Sequence, residues 1–235
     1  MSRPRRSSRA VWSHDERPPV PHAQTMRPAT GPVQREDPAA AATFRSAVAD
    51  LESGIAAERL ARLELSFDGE PPPRKLAPYA AAVAATVRDG DDEVGWGRFV
   101  LLYDPAGQPG WAGPLRIIAY IRADLDPEIA ADPLIGRVGW SWLTEALEAR
   151  THGFQQTSGT VTRVVTEGFG GKQDEPVATE FELRASWSPV GPDAAQSGID
   201  GHVAAWCDAL CTAAGLPPVA AGVAALRQPR HRRPQ

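Results

Sequence analysis

Four carboxylates fall close together at Asp124, Asp126, Glu128 and Asp132. A set like this can hold a divalent cation through oxygen ligands, or supply a general acid and base. A plainer reading competes with it. Asp126 stands directly before Pro127 and suits a helix N-cap, and acids in a first helical turn are favoured by the helix dipole. Further on, Glu145 and Glu148 share the polar arc of a helix with Ser141, and His152 lies at the exit of that helix. A serine nucleophile needs a base, and no histidine has a spacing that carries it to Ser141. Asp124, Glu128, Glu145, Glu148 and His152 are thus the acid–base candidates, set against the reading of a solvated surface.

Two further motifs invite chemistry and are better explained by structure. Cys207 and Cys211 stand four apart on a helical pattern, but a structural zinc needs about four ligands. No second cysteine pair exists, and His202 projects about 140° from Cys207 on an ideal helix. Cys207 falls on the apolar arc with Val203, Trp206 and Leu210, and Cys211 near its edge, so both read as packing. The run Gly168-Phe169-Gly170-Gly171-Lys172 lacks the glycine spacing, the Ser or Thr after lysine and the following helix of a phosphate loop. It reads as the loop of a hairpin. No cofactor and no metal is expected.

The pair Trp140 and Trp142 is the candidate interface. On an ideal helix the two rings point about 200° apart, so one faces a sheet while the other sits at an edge, where tryptophan anchors contacts. Core packing competes, since a broad apolar arc also suits a helix wedged between two elements.

These residues need elements to hold them. A helix is expected from Thr43 as N-cap through Leu51, with Phe44, Val48, Leu51 and Ile55 as its stripe. Alternation over Ala61, Leu63, Leu65 and Phe67 predicts a strand, and three prolines in 69–75 break the chain. Strands are expected over 80–88, 96–103 and 115–122, a short helix over 127–131 and a longer one over 138–150. Two strands, 160–167 and 178–187, flank the glycine-rich loop, and a last helix over 199–214 ends at Gly215. The pattern predicts a single α+β domain whose mainly antiparallel sheet carries helices on one face.

The stretches GRFVLLYDPAGQPGW, DLDPEIAADPLIGRVGWSWLTEALEA, GTVTRVVTEGFGG, ELRASWSP and AWCDALCTAAGLPP resemble an actinobacterial family, the domain of unknown function 3000. The resemblance covers about residues 43–218, its most specific piece being the Trp-Ser-Trp-Leu-Thr-Glu-Ala-Leu-Glu helix. It implies a bacterial cytoplasmic protein with one folded body, and brings no activity, cofactor or catalytic residue. The order of elements is also loosely similar to that of small secretion chaperones.

Charge divides the chain. Residues 1–38 hold seven Arg against four acids, and 227–235 hold four Arg and no acid, so the total of −4 leaves the body at −11 over 39–226. An acidic body argues against a folded nucleic-acid face, which needs a basic stripe. The two Pro/Arg-rich ends are expected to be disordered, the first as a functional leader or as an early start-site choice. Weak nucleic-acid association is their remaining use. Arg outnumbers Lys by 23 to 2, a bias of GC-rich genomes. With two cysteines, no apolar run approaching the length of a membrane span and no signal-peptide h-region, the expectation is a cytoplasmic protein off the membrane. The functional expectation is a non-enzymatic protein-binding or adaptor domain, with a partner or a second copy. An enzyme using the acidic residues is the alternative.

Overall fold

Pro38 at a first helical position, with Asp37 ahead of it, starts the folded body. The Asp37 side chain accepts from the Ala39 N–H at 3.0 Å, and helix α1 runs Pro38–Ala61. The structure, a computed structural model, describes residues 37–62, 64–73, 75–191 and 198–216. Both expected tails, apart from residues 37 and 38, lie outside these residues.

The expected cap at Thr43 is corrected. Ala39–Ala42 are strong helix formers, and Thr43 sits inside the helix with its hydroxyl donating to the Ala39 carbonyl at 3.1 Å. The alternation from Ala61 is corrected as well. Ala61 still belongs to α1, Arg62 caps it, and strand β1 runs Leu65–Gly69. Glu58 and Arg62, one turn apart and joined side chain to side chain, carry the helix past the point where periodicity alone would stop it.

Five more strands follow: β2 Tyr79–Asp89, β3 Asp92–Tyr103, β4 Leu115–Asp124, β5 Phe154–Thr166 and β6 Ala178–Pro189. Between β4 and β5 lie α2 Pro127–Ala131 and α3 Ile135–Arg150, and α4 spans Ile199–Ala213. The alanines of β2 favour helix in isolation, yet Val83, Ala85 and Val87 are buried on one face of a strand. Asp126 does cap α2, accepting from the Glu128 N–H at 2.8 Å. Gly215, at φ 76, closes α4 in the left-handed conformation that glycine adopts without strain.

The sheet has the order β1-β2-β3-β4-β6-β5, and every neighbouring pair is antiparallel. Helices cover one face. On β3 that face carries Gly97 and Phe99, with Gly97 so close beneath Trp206 and Leu210 of α4 that a Cβ there would stand 2.8 Å from the Trp206 ring. Ile117, Ile121, Phe181, Leu183 and Trp187 continue it across β4 and β6 and are almost fully buried. Each such side chain contributes about 1.5–3 kcal/mol relative to exposure. Helix α4 packs on β3, β4 and β6, with α1 on one flank above β1 and β2 and α3 on the other above β5. The helical layer therefore reads α1-α4-α3. This is an α+β fold.

Candidate functional site

The acid–base candidates fall into two exposed groups, Asp124 and Glu128 before α3 and Glu145, Glu148 and His152 toward its other end. Asp124 is exposed at the end of β4 and Glu128 is exposed on α2. Glu145 and Glu148 lie exposed along α3, and His152 is exposed in the turn after it. The length of α3, about 24 Å at 1.5 Å per residue, separates its α2 end from its His152 end. Ser141 donates to the Val138 carbonyl at 3.0 Å, and Asp132 accepts from the Leu134 N–H at 2.8 Å, so both serve local backbone. Among the described residues no group of three His, Cys, Asp or Glu side chains is arranged to hold a metal ion.

Helix α4 is buried nearly all round, so Cys211, expected near the edge of the apolar arc, is as enclosed as Cys207, and both pack as expected. Cys207 and Cys211 are free thiols with no exposed surface. Burial, first of all, pushes Cys207 well above the ordinary thiol value and Cys211 up to about 12, so neither is a ready thiolate. His202 is equally enclosed. The Trp187 indole N–H donates to its Nδ1 at 3.1 Å, its Nε2 has no hydrogen-bond partner among the described residues, and burial lowers its pKa to about 4.

Beside them runs an ionic network that periodicity did not reveal. Arg62 donates to Glu58 at 2.5 Å and to Asp208, and Arg150 holds the same Asp208 carboxylate with two bonds of 2.8 and 3.2 Å. Two guanidiniums and two carboxylates thereby tie the ends of α1 and α3 to α4. The groups lie far apart in the chain, so no local spacing announces them.

The tryptophans flank the buried ridge Gly139, Leu143 and Leu147 of α3. Trp142 leans on Phe181 of β6 with ring centroids 5.4 Å apart. Trp140 lies over Gly159 of β5, where a Cβ would approach its ring to 2.5 Å. Both rings pack on the core and both remain half-buried.

Strand β5 under Trp140 is the sheet's edge. It is its longest strand, at 13 residues, and among the described residues it pairs only with β6. The other edge, β1, has five residues and carries Asp68. Short length and charge are the usual protections of an edge, and β5 has little of either. From Gly159 to Thr166 it reads Gly-Thr-Val-Thr-Arg-Val-Val-Thr, and its one charged side chain is turned away. Arg163 donates to the carbonyls of Ala130 and Asp132, each at 3.1 Å. Val165 of β5 and Leu134 and Val138 at the start of α3 are exposed apolar residues in the same region.

The sheet face away from the helices is mixed in charge. Arg122 pairs with Glu180 and Arg184 with Glu182, while Arg184 also lies over the Tyr120 ring at 5.5 Å. No helix among the described residues is long and apolar enough to cross a membrane.

The family described as "Protein of unknown function (DUF3000)" matches residues 40–224. The chain belongs to that family. No curated protein and no solved structure matches it.

Proposed function

We propose that this member of the DUF3000 family is a non-enzymatic adaptor that receives an extended segment of a protein partner along the free edge of β5. The observation that carries the reading is that edge: a long, nearly uncharged row of backbone donors and acceptors beside a half-buried tryptophan. Strand addition draws affinity from the main chain and specificity from neighbouring side chains, the roles that fall here to Trp140, Val138 and Val165. Trp142, anchored on Phe181, sets the tilt of α3 and so the height of Trp140 above the edge. The separation of Asp124 and Glu128 from Glu145, Glu148 and His152 favours binding over acid–base catalysis. Two buried free thiols suit the reducing cytoplasm.

Photo-crosslinking in cells that express the chain tests this. A crosslinking residue at Thr162 should give one dominant adduct that disappears in the Trp140→Ala background. The same probe at Ser66 of β1 should give none. An adduct of twice the chain mass would assign the edge to a second copy. Identical adducts from both positions, or adducts indifferent to Trp140, would sink the reading.

A further inference from the structure

The open face of the sheet ends in a cleft of about 480 Å³, a size typical of small-molecule sites. Arg116 of β4 lines it and is 8 % exposed. Its guanidinium donates to Ser186 Oγ at 2.6 Å and to Ser188 Oγ at 3.5 Å, and Ser186 Oγ lies 3.4 Å from Ser158 Oγ. Among the described residues no carboxylate pairs with it. Arg62, also 8 % exposed, has two. A charge drawn out of water without a counter-charge is costly, and burial alone lowers the pKa of Arg116. Among the described residues its hydrogen-bond partners are those two serine hydroxyls.

The surroundings are those of a ligand site. Trp111 gives an aromatic wall, and Gln156 enters from β5 where its register against β6 slips. Gln156 has φ 52, a left-handed value unusual outside glycine, in the segment that delivers Ser158.

We propose that this cleft binds a small monocarboxylate, with the carboxylate on Arg116 and the Ser158 and Ser186 hydroxyls and its apolar body against Trp111. A planar guanidinium matches a carboxylate through paired hydrogen bonds. One cation balances one negative charge. A phosphate dianion would leave a charge over, because Arg122 and Arg184 of this face have their own glutamates, while Arg98 donates to the Pro71 carbonyl at 2.7 Å and stands 4.0 Å from Glu70. The assignment is independent of the β5 edge reading, since it concerns the sheet's open face and a different class of ligand.

Titration of the full chain with benzoate, benzamide and inorganic phosphate, followed by backbone amide NMR, decides it. Benzoate should saturate with shifts confined to residues 108–111, 156–158 and 186–188. Benzamide, of the same shape without the charge, and phosphate should each bind at least about 10-fold more weakly. Arg116→Met should weaken benzoate by roughly 10- to 100-fold, the worth of a hydrogen bond to a charged group, and Arg116→Lys by less. Equal binding of benzoate and benzamide, tighter binding of phosphate, shifts centred on Arg98 or Arg122, or a folded Arg116→Met chain that binds as before would each overturn the proposal. The comparison of ligands uses the natural chain, so it stands even where a variant fails to fold.

Discussion

Arg62 and Arg116 reach the same low exposure on opposite sides of one sheet, in opposite company. Arg62 sits among the helices, between Glu58 and Asp208, with Arg150 completing a neutral set. Arg116 sits on the face away from the helices, and among the described residues its hydrogen-bond partners are serine hydroxyls. The helical side has satisfied its charges internally. The open side holds a charge in readiness for something outside the fold. Equal burial of one residue type therefore goes with a counter-charge inside the fold in one place and with hydroxyl partners alone, among the described residues, in the other.

The largest test of that contrast is to remove the shared acid of the closed network. Asp208→Ala leaves Arg62 with Glu58 alone and Arg150 without its carboxylate, and should cost about 3–5 kcal/mol in urea unfolding. A loss below about 1 kcal/mol would mean that solvent, not Asp208, compensates those guanidiniums.

His202 gives a second measure of how dry the helical side is. The unfolded imidazole takes its proton near the ordinary 6.5, the folded one only near 4, because burial outweighs the opposing pull of Asp200 and the repulsion of His152 adds to it. Between those values the unfolded chain binds more protons. Stability is therefore full above about pH 6.5 and falls as pH falls toward 4, by about 3 kcal/mol in all. His202→Gln keeps an acceptor for the Trp187 indole and should flatten that slope in unfolding curves at pH 7 and pH 5. An unchanged slope would assign the acid sensitivity elsewhere.

The smallest effect should come from the other arginine. Arg116→Met removes a buried charge that has no counter-charge in the described chain, so stability should move by less than about 1 kcal/mol in either direction. A loss comparable to that of Asp208→Ala would make Arg116 a structural residue and remove the contrast.

Much of the fold was legible where local rules and tertiary packing agree. The β3–β4 hairpin, the capped start of α2 at Asp126-Pro127 and the stop of α4 at Gly215 all followed from short-range pattern. The start of α1 did not, because Thr43 satisfies a cap rule that Asp37 satisfies better when followed by Pro38. The candidate sites were less legible. Trp140 and Trp142 were singled out by residue type, but the edge that gives Trp140 its meaning depends on strand order, with β6 inserted between β4 and β5. Arg116 lies within the expected strand 115–122, and nothing in its local spacing singles it out. Its burial comes from the β3–β4 loop, where the Ala112 N–H donates to Ser188 Oγ at 3.0 Å. The burial of His202, set about 140° from Cys207, was not legible because an apolar arc drawn for one face understates a helix packed against α1, α3 and the sheet at once.

That central seat of α4 has a consequence for how the protein is made. It is the last of the described elements to be synthesised, yet it roofs β3, β4 and β6 and touches both other long helices. At roughly 5–20 residues per second, several seconds separate completion of β4 from that of α4. Throughout that interval the apolar face around Phe99, Ile117 and Ile121 has no cover from Trp206 and Leu210. The nascent chain thus exposes that face until α4 arrives, and a ribosome that stalls within β6 would release a sticky sheet in place of a shortened but serviceable domain.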